Sequence, residues 1–146
     1  MKSKPSPIDL AFVQILKTAD TLVNEVTGVL KPAGLTATQY NVLRILRGAH
    51  PDSLTCGQMA ERMMTRDPDI TRLMDRMERQ DLITRKRDSA DRRHVSIGIT
   101  ATGLKLLKEL DEPIHTLHRR QFSRLGAQEL KSLTDLLELV RHDSNP

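Results

Sequence analysis

The chain has no tryptophan, one tyrosine and two phenylalanines in 146 residues. Its core must therefore be assembled from Leu, Ile, Val, Met and Ala, a palette that favours helices over a β-sandwich, because strands draw on aromatic and β-branched side chains. A single cysteine, Cys56, excludes an intrachain disulfide and fits a reducing compartment. No apolar run approaches the roughly eighteen residues of a membrane span, and the opening MKSKPSPIDLAF holds no apolar stretch of signal-peptide length. A cytoplasmic protein without a membrane segment is expected. Catalytic constellations are missing too. There is no nucleophile motif and no Gly-rich phosphate loop, and the carboxylates fall into helix-surface charge patterns, so neither an enzyme nor a cofactor is expected.

What is present is 38% hydrophobic and 29% charged residues, the balance of a globular protein with a wet surface. The length suits one domain, residues 1–146. The net charge is +4, and its distribution matters more than its size. Between Arg62 and Arg93 stand ten Lys/Arg against seven Asp/Glu, so most of the excess is concentrated in about a fifth of the chain.

Ser6-Pro7-Ile8-Asp9 has the signature of a helix start, and apolar residues then recur at near-helical spacing from Ile8 to Leu30. Thr36 with Gln39, and Thr55 with Gln58, predict two further capped helices, the first closed by Gly48 and the second running to Met63. Asp67 is placed to cap a third, with Pro68 at its first position and Asp69 beside its positive end. In that helix Ile70, Leu73, Met74 and Met77 form a core face, while Thr71, Arg72, Asp75, Arg76 and Arg79 form a polar one. Leu82–Lys86 and Arg93–Ile99 read as the strands of a hairpin with a charged tip. Thr100 caps a leucine-rich helix bent at Pro113, and a last helix covers about 127–141, with Leu104, Leu107, Leu133 and Leu137 suited to the core. The fold class is mainly α with a small β-hairpin wing: a winged helix-turn-helix over 33–100, flanked by terminal helices, 1–32 and 101–146, whose surplus apolar stripes predict a homodimer.

These residues carry a resemblance. Asp91-Arg92-Arg93 followed by the alternating strand His94–Ile99 and Thr100-Ala101-Thr102-Gly103 is similar to the wing pattern of the MarR family of winged-helix transcription regulators. Ala60-Glu61-Arg62 followed by Ile70–Glu78 is similar to that family's reading helix. The likeness spans nearly the whole chain. Departures are Met64 and Asp81, where the family tends to have Gly, and Asp67-Pro68-Asp69, where it favours small hydroxyl residues. Asp tolerates the left-handed backbone that Gly would supply at 81.

The resemblance implies a regulator, most often a repressor, that binds a pseudo-palindromic duplex as a homodimer and is released by a small, often aromatic and anionic effector. It gives Arg93 a minor-groove role, where an arginine senses groove width, with Asp91 shaping the tip by pairing with Arg87 or Arg93. Arg66, Asp69, Thr71, Arg72 and Arg76 are the candidate contacts of the reading helix. Arg85, Lys86, Arg87 and Arg92 are expected to neutralise phosphates. Phe12, Tyr40 and His115 are candidate lining for an effector pocket. A thiol switch at Cys56 is weaker than a small buried residue there, and His115 with His118 lacks the further ligands a metal site needs. A metal- or thiol-responsive relative, or a winged module that binds an acidic protein, are the alternatives.

Overall fold

In the computed structural model, which describes residues 4–142, Ser6 opens helix α1 (Pro7–Leu30) with a complete capping box. Its Oγ accepts from the Asp9 amide at 3.1 Å while the Asp9 carboxylate accepts from the Ser6 amide at 3.2 Å. A 3-10 turn, Lys31–Ala33, ends at Gly34, whose φ of 71° suits glycine. Helix α2 (Ala37–Ala49) starts with the same box at Thr36 and Gln39. It runs one residue past Gly48, and His50 rather than the glycine ends it, because Gly48 stays within the helix and the chain turns extended at His50 (ψ 136°).

Strand β1 (Leu54–Thr55) leads into α3 (Cys56–Arg62), again boxed by Thr55 and Gln58. Helix α4 (Ile70–Arg79) begins two residues later than the sequence suggests. The Asp67 carboxylate accepts from the Asp69 amide at 2.8 Å, an Asx-turn that occupies the acceptor an N-cap would use. Asp69 caps the helix instead, accepting from the Arg72 amide at 3.1 Å.

Strands β2 (Ile83–Arg87) and β3 (Val95–Ile99) pair antiparallel, Arg85 opposite Ile97. The hairpin is shifted by one residue on its first arm and shorter by two on its second, because residues 91–94 close a turn in which the His94 amide donates to the Asp91 carbonyl at 2.9 Å. The sheet order is β1-β3-β2. β1 is the element periodicity cannot find, since two residues carry no alternation.

Helix α5 (Ala101–Gln121), capped by Thr100, continues through Pro113, and α6 (Ala127–His142) follows. Met59, Met74, Met77, Ile83, Ile97 and Leu107 meet Leu30, Val42, Leu43 and Leu46 in one core. Two polar residues enter it. Gln39 Nε2 donates to Gln80 Oε1 at 3.1 Å, and the side-chain Oδ1 of Asn41 accepts from the Met64 amide at 2.9 Å, tying the α3–α4 turn to α2. Met64 needs no left-handed backbone; among the described residues the one non-glycine with positive φ is Asp81, at 58°, as its family position suggests. Asn41→Leu should leave that amide without its partner and lower stability by about 1–3 kcal/mol in urea unfolding; an unchanged midpoint would show that the turn holds itself.

Leu133 and Leu137 are not core residues. They line the gap between α6 and α1, a cavity of about 490 Å³, and no residue of α6 is buried. α5 instead reaches the core through Leu107, Leu110 and Ile114. At its start, Thr100 Oγ1 donates to the Asp81 carbonyl at 2.6 Å and Thr102 Oγ1 to the Asp81 carboxylate at 2.9 Å, which fastens α5 to the corner between α4 and β2.

Candidate nucleic-acid interface

Helix α4 buries Leu73, Met74 and Met77, which turns Thr71, Arg72, Arg76 and Arg79 outward. Arg66 is exposed in the turn before it. The Asp69 carboxylate caps the helix with one oxygen and meets Arg72 Nε with the other at 3.1 Å, so of the two carboxylates at the start of α4 this one is paired with a cation of its own helix. Arg72 nonetheless keeps 84% of its side chain exposed.

The wing tip is built around Asp91. Its Oδ1 accepts from the Arg93 amide at 3.0 Å and from Arg93 Nε at 3.2 Å, and its Oδ2 meets His94 Nδ1 at 3.1 Å. The backbone bond from Arg93, then its guanidinium, hold the Asp91 carboxyl below the ordinary aspartate value. Of the two arginines proposed to pair with Asp91, Arg93 does so and Arg87 does not. Arg93 stays 91% exposed, aimed out from the tip by a carboxylate that is itself one-third exposed. The exposed side chains of Lys86, Arg87 and Arg92 have no hydrogen-bond or ion-pair partner among the described residues.

Arg85 is different. Its Nη2 donates to Asp75 Oδ1 at 2.6 Å and to Glu78 Oε1 at 2.9 Å, and its amide donates to Glu78 Oε2 at 3.2 Å. Hydrogen bonding to Arg85 holds the Glu78 carboxyl below the ordinary glutamate value, and the same bond raises the guanidinium. These bonds set Arg85 apart from Lys86, Arg87 and Arg92, whose side chains carry no such pairing among the described residues.

The effector-pocket candidates separate. Tyr40 and His115 share a small cavity of about 160 Å³ with Arg44, Arg47, Asp111, Ile114 and His118. Phe12 is elsewhere, 63% exposed on α1. Burial pushes the Tyr40 hydroxyl up, and Arg44 lies 5.9 Å above its ring. Arg47 Nη1 donates to both oxygens of Asp111 at 2.9 Å. Sequence reasoning missed Arg44 and Arg47, although they stand four and seven residues after Tyr40, on one helix face. His118 Nδ1 pairs with Gln121 Oε1 at 2.9 Å, and no group of three metal-ligating side chains occurs among the described residues. Cys56 is half-buried and free. No described helix is long and apolar enough to cross a membrane.

The sequence pattern of the MarR family matches residues 35–95, from the start of α2 to the wing. A solved MarR transcription factor from Planctomyces limnophilus is 39% identical, aligned over 94% of this chain and 99% of that one, with a TM-score of 0.72. The chain belongs to the MarR family. Another similar protein is the homoprotocatechuate degradative operon repressor of Escherichia coli, 27% identical over 89% of this chain and 86% of that one. The MarR-family fold is also that of Sco3205, a regulator from Streptomyces coelicolor solved in complex with DNA, with a TM-score of 0.88 over 100% of this chain and 93% of that one at 19% identity. Family and fold are those of transcription regulators.

Proposed function

We propose that this MarR-family chain acts as a homodimer that reads duplex DNA with α4 in the major groove and Arg93 in the adjacent minor groove, most simply as a repressor. The observation that carries the reading is a division of the surface. Arg76, Arg79, Lys86, Arg87 and Arg92 stand exposed on α4 and the wing, whereas the large exposed apolar side chains, Met64 apart, lie on α1, α6 and the turn before α6. One surface suits a polyanion and the other suits a second copy of the chain. Arg72 and Arg76 are positioned for guanine edges, at about 1–3 kcal/mol per bidentate pair. Arg66, Lys86, Arg87 and Arg92 supply sequence-independent attraction to phosphate, and Asp69 serves by holding Arg72 rather than by meeting a base.

A dimer presents two such heads, so the duplex should contain two inverted half-sites about 10 bp apart or a multiple of that. The cavity beneath Tyr40 and Arg47, between α2 and α5, is the place for a small anionic effector, since α2 belongs to the reading head and α5 continues toward the terminal helices. Such a ligand acts only if it binds the DNA-competent and incompetent arrangements with different affinities.

Selection of duplexes from a random library by the purified chain tests the reading. A selected site with inverted half-sites, bound with steep salt dependence, is the expected result. Equal binding of every duplex would sink it.

A further inference from the structure

Two acidic residues sit where a DNA-reading helix can least accommodate them. Asp75 and Glu78 stand four and seven residues after Thr71, on the side of α4 that faces the wing, and they line one groove with Thr71, Arg85, Arg87 and Val95. Near a polyanion each carboxylate is repelled, and nothing in the core requires either side chain, since both are more than one-third exposed. Their common partner is Arg85. β2 is an edge strand, with β3 on one side and none on the other, so its outward backbone groups lack a strand to pair with. Glu78 supplies the acceptor for one of them, the Arg85 amide, while its other oxygen and Asp75 hold the guanidinium of the same residue. Backbone and side chain of one wing residue are thus gripped from two consecutive turns of α4. Two residues further along β2, Arg87 pairs with Val95, which follows the Asp91–His94 turn directly. The orientation of the tip is therefore set through the base that Asp75 and Glu78 hold.

We propose that Arg85 is a positioning residue and that Asp75 and Glu78, despite their charge, are needed for DNA binding because through Arg85 they fix the angle between the reading helix and the wing. This rests on the DNA-binding reading above. The wing and α4 must enter adjacent grooves at once, and a loose joint between them lets either engage alone. Arg93 then contributes only when the bracket holds.

The sign of one effect separates this from bare electrostatics. Asp75→Asn with Glu78→Gln removes two negative charges per protomer and keeps the side-chain shapes. Charge alone predicts tighter binding to any duplex. The bracket predicts at least about tenfold weaker binding to the duplex selected by the wild-type chain, with affinity for a random duplex equal or higher. A second arm uses coupling: Arg93→Ala should cost about tenfold or more in the wild type but less than about threefold in an Arg85→Met background, because groups in one network are not additive. Anisotropy titrations at fixed salt measure both, with circular dichroism melts to establish that each variant folds. If the double variant does not fold, Glu78→Gln alone carries the same sign test.

Unchanged or tighter binding of the selected duplex by the carboxylate variant, or an Arg93→Ala cost independent of Arg85, would overturn the bracket. A wild-type chain that selects no duplex would remove the DNA reading itself, and the bracket's role in it, before any variant is compared.

Discussion

Alanine at Gly103 should destabilise the protein by about 2 kcal/mol, although alanine is the better helix former by about 1 kcal/mol. A Cβ at this position would lie 2.6 Å from the Leu82 carbonyl oxygen and 2.8 Å from Ile99 Cγ1. The carbonyl has little room to retreat. It accepts from the Thr100 amide at 3.2 Å, and Leu82 itself is buried. The first turn of α5 must then back away from the corner between α4 and β2, loosening the Thr100 and Thr102 bonds to Asp81. Gly28 provides the control, since a Cβ there meets nothing within 4 Å and α1 surrounds it with helix. Gly28→Ala should be neutral or stabilising by up to about 1 kcal/mol. Urea unfolding of the two variants side by side decides the point, and equal midpoints would mean that the α5 contact relaxes freely.

The other large effect concerns the terminal helices. Phe12→Glu combined with Leu136→Glu should leave the chain monomeric at micromolar concentration and lower its affinity for the selected duplex by at least about a hundredfold. Phe12 and Leu136 are 63% and 61% exposed, on α1 and α6, the two helices with the least intrachain burial. A covered Phe or Leu contributes about 1.5–3 kcal/mol, and in a two-fold interface each substitution acts twice. Loss of the dimer also removes the second reading head, hence the additional loss on DNA. Sedimentation velocity of both forms gives the answer. A wild-type chain that sediments as a monomer, or a variant that stays dimeric, would show that these helices do not bring two copies together.

Much of this architecture is legible in the sequence because its signals are local. Capping boxes at Ser6, Thr36 and Thr55 act over three residues, and the Ile70–Met77 face repeats at helical spacing. The wing pattern around Asp91 and Arg93 is local as well, and their pairing is one of the two the motif left open. What escaped depends on contacts between distant segments. Strand β1 exists because Leu54 finds Ile97, forty-three positions away in sequence. The commitment of Arg85 to Asp75 and Glu78 arises from how β2 lies against α4, so spacing alone grouped it with its basic neighbours. That α4 starts at Ile70 rather than at Pro68 has a subtler reason. Asp67 and Asp69 are both able to cap, and the choice rests on which carboxylate the Pro68 turn occupies. Leu133 and Leu137 have the periodicity of core residues, but periodicity does not say whether the surface covering them belongs to the same chain.

Helix α5 links these regions mechanically. Its first turn is bolted to the α4–β2 corner at Asp81, and from its last, Gln121 donates to the Leu22 carbonyl at 3.3 Å and to Glu25 at 2.8 Å on α1. Twenty-one residues at 1.5 Å each make a strut of roughly 30 Å between those two anchors. A strut fixed at both ends acts as a lever arm. A tilt of about 5° at the α1 end displaces the wing base by roughly 3 Å, most of the spacing between successive base pairs. In the proposed dimer, the distance between the two reading heads would thereby be geared to the packing of helices far from the wing.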